Sequence, residues 1–404
     1  MYDKCGQTPA ACRKLASHSG AGAPLWLALR LASRQAEAAC QTPDTYRGQP
    51  QPIDGGKDVE EQHKRRVHYS GRYPRRFEEK YKEHNPEKYQ GEIEKIIRKG
   101  NTPAGMHIPI MVNEILQVLR IQKGETGLDA TLGYGGHTEK LLEQLQGSGH
   151  LYACDLDPIE SEKTRKRLLE KGFGEDVLTV LHTNFADIDK AAPEQKFDFV
   201  LADLGVSSMQ IDDPERGFTF KEDGPLDLRM DPTKGEPASA LLKKMNAEEM
   251  AALFSANSDE PYAERIAKEI DHTRHKDGAV RTTMQLHAAI SRALSFLPEG
   301  EERKEAVRKS SQRCFQALRM EVNGELSNLQ TFLDKLPLVT APGARIAILT
   351  FHSGEDRLVK KAFREGLREG VYAEIAKDVI RPSAEECFRN PRAHSTKLRY
   401  AVRG

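Results

Sequence analysis

Leu128-Asp129-Ala130-Thr131-Leu132-Gly133-Tyr134-Gly135-Gly136-His137-Thr138 decides how the rest of the chain is read. An acidic residue ends a short apolar run, glycines follow, and a helical stretch begins near Thr138. That order describes the first strand, cofactor loop and first helix of an α/β nucleotide-binding domain. Glycines permit unusual backbone angles and let a ligand approach the main chain. The loop is neither a Walker motif nor a complete GxGxxG fingerprint, and no phosphate-gripping lysine follows it. About twenty residues on, the run His150-Leu151-Tyr152-Ala153-Cys154 ends at Asp155. A carboxylate after the second strand commonly grips a ribose diol.

The same punctuation continues downstream. Val177–Leu181 reads as a third strand leading to Asn184-Phe185-Ala186-Asp187, and Phe197–Ala202 as a fourth ending at Asp203. Asp129, Asp155, Asn184 and Asp203 therefore close successive apolar runs. In an open parallel sheet such ends share one edge, where ligands bind. The pattern suits an adenosine-containing cofactor without a pyrophosphate. Helices are expected over Met111–Leu119, Thr138–Leu145 and Pro158–Glu170, the last ended by Gly172.

From Pro237 the period becomes helical, beginning with Ala240–Met245. Ala247–Phe254 follows a cap of Asn246 with Glu249, Tyr262–Ile270 continues the pattern, and Thr282 or Thr283 starts a helix through Leu294. Residues 301–319 extend it, and Glu321–Leu336 returns to a strand at Arg345–Thr350. A helix begins within Leu358–Phe363, and Lys397–Val402 is the last strand. The expected division is an extension over 1–58, a basic arm over 59–105, the α/β domain over 106–224 and 321–404, and an all-helical insertion over 225–320.

Charge and composition limit the partners. The 404 residues carry 61 basic and 61 acidic side chains, which excludes a uniformly basic nucleic-acid coat but allows local patches. Six scattered cysteines show neither CxxC nor zinc spacing, as in a reducing compartment. Leu25–Leu31 is too short to span a membrane and is interrupted by Arg30. Residues 1–58 read as a disordered or organelle-targeting extension. In the arm, Lys64, Arg65, Arg66, Arg72, Arg75 and Arg76 alternate with Tyr69, Tyr73 and Phe77, a composition able to contact phosphates and stack on bases.

Asp203-Leu204-Gly205-Val206-Ser207-Ser208-Met209-Gln210, then Glu215-Arg216-Gly217-Phe218-Thr219-Phe220 and Asp223-Gly224-Pro225-Leu226-Asp227-Leu228-Arg229-Met230-Asp231, closely resemble blocks of the small-subunit ribosomal RNA cytosine-N4 methyltransferase family. Further blocks follow the family order. They are His107-Ile108-Pro109-Ile110 with Glu114, Gly135-Gly136-His137, Phe315-Gln316-Ala317-Leu318-Arg319 with Asn323 and Glu325, Phe351-His352-Ser353-Gly354-Glu355-Asp356-Arg357, and Asn390-Pro391-Arg392-Ala393-His394-Ser395 before Lys397-Leu398-Arg399. The resemblance spans about Met106 to Arg399. Gly354 departs from the frequent Leu, Thr138 from Ser and His394 from Arg. The arm resembles that of family versions with an extended N-terminus.

The resemblance implies a class I S-adenosylmethionine-dependent methyltransferase, Rossmann-like, with an inserted helical domain. Its implied substrate is the exocyclic N4 of one cytidine in the decoding region of small-subunit rRNA. On this reading Gly135, Gly136 and His137 line the methionine side, Asp155 holds the ribose and Phe185 covers the adenine. Asp203 and Gln210 complete the cofactor pocket.

N4 of cytosine is a poor nucleophile because its lone pair is delocalised into the ring. The site must hold it in line with the methyl group and accept its N–H, which points to Asp203 and the carbonyls of Leu204 to Val206. His352, at the end of a strand, is a second catalytic candidate. Arg216, Arg229, Arg319, Arg357, Lys397 and Arg399 are the candidate RNA contacts. Internal pairing competes for Arg229, flanked by Asp227 and Asp231, and for Arg357, beside Glu355 and Asp356. The chemistry calls for neither metal nor covalent intermediate. No membrane association is expected, a homodimer is left open, and the compartment is the cytoplasm with a plastid as alternative. Competing functions are a nicotinamide oxidoreductase, disfavoured by the glycine pattern, and a non-catalytic RNA-binding ribosome assembly factor.

Overall fold

The computed structural model describes residues 109–191, 196–207, 210–211 and 213–404. The extension, the basic arm and His107-Ile108 lie outside the described residues, as do Ser208 and Met209. Helix α1 (Val112–Leu119) precedes strand β1 (Thr126–Asp129), α2 (Gly136–Leu145), β2 (His150–Asp155), α3 (Pro158–Glu170) and β3 (Leu178–His182). A short α4 (Ile188–Ala191) leads to β4 (Phe197–Asp203). The predicted β1, β2, β3 and β4 are thus present, with ends within two residues of those expected.

Between β4 and the next strand lie α5 (Ala238–Lys244), α6 (Ala247–Ser258), α7 (Ala263–Asp277), α8 (Thr283–Ala293), α9 (Glu301–Val322) and α10 (Glu325–Val339). The chain then forms β5 (Thr340–Thr350), α11 (Ser353–Arg368), β6 (Tyr372–Ile375), α12 (Ala384–Arg389) and β7 (Lys397–Arg403). The sheet order is β3-β2-β1-β4-β5-β7-β6. Strands β1 to β5 pair in parallel, whereas β7 runs antiparallel to both β5 and β6. Chain order reverses between β1 and β4, which opens a crevice at their C-terminal ends.

Both faces of the sheet are covered, so its central strands are nearly continuous apolar runs. Val200, Ala202, Ile346 and Ile348 face α10 and α11 through Phe332, Leu336, Val359 and Phe363. Phe199, Leu201, Ala347 and Leu349 point the other way, onto Ile115, Leu119, Leu141 and Leu142. Gly127 belongs to this packing, because a Cβ there would lie 2.0 Å from the Phe199 ring.

The helices after β4 bury a separate cluster that includes Leu242, Met250, Phe254, Ile266, Ile290 and Phe315. The expected cap closes α6: Asn246 Oδ1 accepts from Glu249 N at 2.8 Å, and Glu249 returns the contact to Asn246 N at 2.9 Å. Thr282 rather than Thr283 caps α8. Three elements had no counterpart in the sequence reading: α4, β6 and α12. Among the described residues no helix is long and apolar enough to cross a membrane.

Candidate active site

The crevice at the switch point holds a cavity of about 410 Å³, within the range of small-molecule sites. Its wall includes the β1 loop from Ala130 to His137, Asp155 after β2, Phe185, and Asp203 to Ser207. Gln210, Met230, Arg319, Asn323, Glu325, Phe351 and Glu355 close the other side. Every cofactor residue expected from the sequence thus reaches one cavity.

The glycine loop turns through left-handed positions at Gly133 (φ 48°) and Gly135 (φ 75°). Thr164 of α3 donates to Gly133 O at 2.7 Å, tying the loop to the following helix. A Cβ on Gly135 would lie 2.7 Å from Thr164 Cγ2, and one on Gly136 3.2 Å from the Pro109 ring. Both glycines are therefore set by protein packing as well as by nearness to a ligand. Gly135→Ala is expected to cost about 2 kcal/mol, from the left-handed backbone and the contact with a stiff β-branched side chain. Urea unfolding checks this, and a loss below about 0.5 kcal/mol would show that the loop relaxes freely.

Asp155 accepts from Gly133 N at 2.7 Å and Asp157 N at 2.8 Å, which places its carboxylate at the end of β2 beneath the loop. Burial pushes it up to about 6, against the downward pull of those two amides. Each oxygen keeps a lone pair for a ligand hydroxyl. Phe185 packs on Phe332 with ring centres 5.2 Å apart, fixing a flat apolar wall.

Asp203 ends β4. Its backbone N–H donates to Thr131 Oγ1 at 2.6 Å, while Oδ2 lies 3.4 Å from His137 Nδ1. Oδ1 is buried and meets no hydrogen-bonding partner among the described residues. A buried acceptor left without a protein partner calls for a donor, which a water or a ligand supplies. His137 is anchored from its other side, with Nε2 2.9 Å from Ile110 O.

His352 is placed differently from the expectation that it faces substrate. It caps α11, with Nδ1 accepting from Glu355 N at 3.4 Å and Nε2 3.1 Å from Glu355 Oε1. Glu355 also accepts from Phe351 N at 2.9 Å. Burial raises the Glu355 carboxyl, but His352, the Phe351 amide and Arg319 outweigh it and hold the group below its ordinary value. A Cβ on Gly354 would come within 3.1 Å of the His352 ring. A larger residue at 354 would press on the capping ring. Glu325, His352 and Glu355 can bring one ligand atom each within 4.8 Å of one another. Arg319 already binds both Glu325 oxygens, at 2.7 and 2.9 Å, so a guanidinium supplies the positive charge of this cluster.

Five of the six candidate RNA contacts are engaged within the protein. Arg216 pairs with Asp157 at 2.7 Å, Arg229 with Asp227 at 2.7 Å and Arg319 with Glu325. Lys397 and Arg399 both reach Asp356, at 3.0 and 2.7 Å. Arg357 is exposed, and the flanking carboxylates expected to hold it turn instead to His352 and to β7. The sequence reading passed over Asp157, which is fully buried. Its Oδ1 caps α3 through Ile159 N and Glu160 N, and its Oδ2 accepts from Gln210 Nε2 at 2.8 Å and from Arg216. Gln210 lines the cavity with its amide occupied at both ends, Oε1 accepting from Ser207 N at 2.9 Å.

The MraW methylase family model matches residues 104–403. A protein of Agathobacter rectalis named ribosomal RNA small subunit methyltransferase H 1 is 59% identical over 345 residues, covering 85% of this chain and 99% of that one. A protein of the same name from Lachnoclostridium phytofermentans is 57% identical, over 87% of this chain and 96% of its own. A solved S-adenosylmethionine-dependent methyltransferase of Aquifex aeolicus covers 76% of this chain and 97% of its own, with 12% identity and a TM-score of 0.35. The cofactor of the matched family is S-adenosylmethionine, and the fold is that of class I methyltransferases. A glycine loop at the switch point, a carboxylate at the end of β2 and an aromatic wall at Phe185 line one cavity and are groups that could hold that cofactor. With the family model spanning nearly all described residues, the chain belongs to the MraW methylase family.

Proposed function

We propose that this methyltransferase acts on N4 of a specific cytidine in the decoding region of small-subunit ribosomal RNA, in the cytoplasm. The observation that carries the reading is Asp203, which ends β4 in the wall of the cofactor cavity and whose Oδ1 has no hydrogen-bonding partner among the described residues. An exocyclic amine brings the donor that this oxygen lacks. S-adenosylmethionine, when bound, supplies the methyl group in activated form.

The remaining work belongs to the chain. Asp203 accepts the N4–H, which favours localisation of the nitrogen lone pair and takes the proton that must leave. The carbonyls of Leu204 to Val206 border the same place, and Gly205 (φ 106°) turns them there. Asp155 holds the ribose, and Phe185 excludes water from the adenine. His352 serves through the α11 cap that positions Glu355. Residues 225–320 act as an inserted domain over the RNA side, where exposed Arg357 is the readiest phosphate contact. The names of the 59% and 57% identical relatives support the rRNA substrate.

The deciding experiment is mass-resolved methyl transfer to small ribosomal subunits and to naked small-subunit rRNA. One methyl on cytidine N4 is the expected result. No transfer to either from cofactor-saturated protein would move the function to a non-catalytic assembly role.

Cofactor affinity should carry the signature of Asp155. Its folded value near 6 lies above the unfolded 3.8, so protonation is favoured in the fold. The free protein gains stability from this group as pH falls from about 6 to 4, while the carboxylate that accepts ribose hydroxyls is lost. Calorimetry should find the cofactor Kd level from pH 7 to 8 and about tenfold weaker near pH 5. A Kd independent of pH over that span would remove Asp155 from the ribose.

A further inference from the structure

From the hydrogen-bond accounting around His137, we infer that this residue is a positioning imidazolium. It fixes Asp203 by holding Oδ2, which leaves Oδ1 as the oxygen for the methyl-accepting amine. A carbonyl oxygen can only accept, so the 2.9 Å contact with Ile110 O places a proton on Nε2. In a neutral ring Nδ1 would then be a bare lone pair. It lies 3.4 Å from Asp203 Oδ2, also an acceptor when ionised. Two acceptors facing each other in a buried site repel, and one further proton between them removes the conflict. The ring is 8% exposed, so most of its surface is held by the protein.

The titratable groups acting on the ring come from two strand ends, Asp203 of β4 and Asp129 of β1. Asp129 is itself buried and accepts from Thr138 Oγ1 at 2.7 Å and Thr131 N at 3.0 Å. Burial opposes charge on His137, but Asp203, the Ile110 carbonyl and Asp129 outweigh it and raise the imidazole above its ordinary value. Asp203 is thus the carboxylate in contact with the ring, and the cation is the form that satisfies both Ile110 O and Asp203 Oδ2.

The consequence for the proposed reaction is directional. With Oδ2 turned to the imidazolium, Oδ1 is the carboxylate oxygen left for the amine. When the nitrogen gains its methyl group it holds one proton in excess. That proton passes to Oδ1, the carboxylate becomes a carboxylic acid, and water later receives it. His137 is the same cation before and after. This role rests on the amine-methylating reading, but the protonation state of His137 in the free protein does not.

The test therefore has two arms. Nitrogen-15 spectra of histidine-labelled full chain, with His137→Gln used for assignment, report the ring state directly. The expected result is a doubly protonated His137 at pH 7, its midpoint falling by at least about one pH unit in Asp203→Asn. A neutral Nε2–H ring at pH 7, or a midpoint indifferent to Asp203→Asn, would overturn the inference whatever the substrate is. The second arm measures methyl transfer and cofactor Kd for His137→Gln. A positioning role predicts a kcat lowered at least tenfold and a displaced pH profile, with cofactor Kd little changed. A raised Kd with unaltered kcat would make His137 a cofactor contact instead. Failure of the wild-type chain to methylate small-subunit RNA, with His137 charged as expected, would strike the substrate reading and leave the pair standing.

Discussion

Asp203→Asn should lower the single-turnover rate of methyl transfer by about 10²-fold or more while leaving the cofactor bound. The substitution is nearly isosteric, and its geometry separates two contributions. An asparagine can direct Nδ2 at His137 Nδ1, which then accepts as a neutral ring. Its Oδ1 would still point where the carboxylate oxygen did. The hydrogen bond to the incoming amine therefore survives in form, while the negative charge and the capacity to take a proton are lost. The expected deficit measures basicity and charge rather than a missing contact. Because Oδ1 has no partner among the described residues and the amide keeps a donor toward His137, no hydrogen-bonding group is orphaned. The stability loss should be limited to the lost charge pairing with His137, about 1–2 kcal/mol. Rapid-quench methyl transfer to small subunits, beside calorimetry with the cofactor, checks both halves. A rate within about threefold of wild type would remove Asp203 from proton transfer.

The ends of β1, β2 and β4 were legible because parallel strands buried on both faces read as unbroken apolar runs, and the polar residue closing each marks the ligand edge. Asp129, Asp155 and Asp203 came from that rule. What a strand-end reading does not supply is the second half of a long-range pair. Asp157 stands two residues past a recognised site residue, yet its partner Arg216 is 59 positions away. Local charge neighbours misled in the same way at Asp356, which ignores Arg357 beside it and reaches Lys397 and Arg399 on β7. Gly135 was legible as a loop glycine, but the crowding by Thr164 that fixes it is tertiary. Strand β6 has four residues and α12 six, too few to establish a period.

Asp157→Ala should be the most damaging single substitution for stability, by about 3–5 kcal/mol, because it leaves a buried guanidinium without its counter-ion. Arg216 is 11% exposed, and its Nη1 has Asp157 as anion while Nη2 donates to the carbonyls of Arg229 and Met230. Those carbonyls soften the charge but do not neutralise it. The same carboxylate also caps α3, a contribution of about 1 kcal/mol, and holds Gln210 in the segment after β4. One side chain thus joins the cofactor half of the sheet to the loop that follows Asp203. Asp157→Asn keeps one oxygen, enough for the cap or for Arg216 but not both, and should fall between alanine and wild type. A double-mutant cycle with Arg216→Met separates a latch from an RNA contact. If the pair is a latch, removing Arg216 as well recovers part of the Asp157→Ala loss. RNA affinity at matched folded fraction then keeps its salt dependence. If Arg216 chiefly binds phosphate, the stability losses add, and Arg216→Met alone reduces the salt slope by about one. The second outcome would mean that the ion pair opens when RNA arrives, so the loop after Asp203 would be released by the substrate it serves.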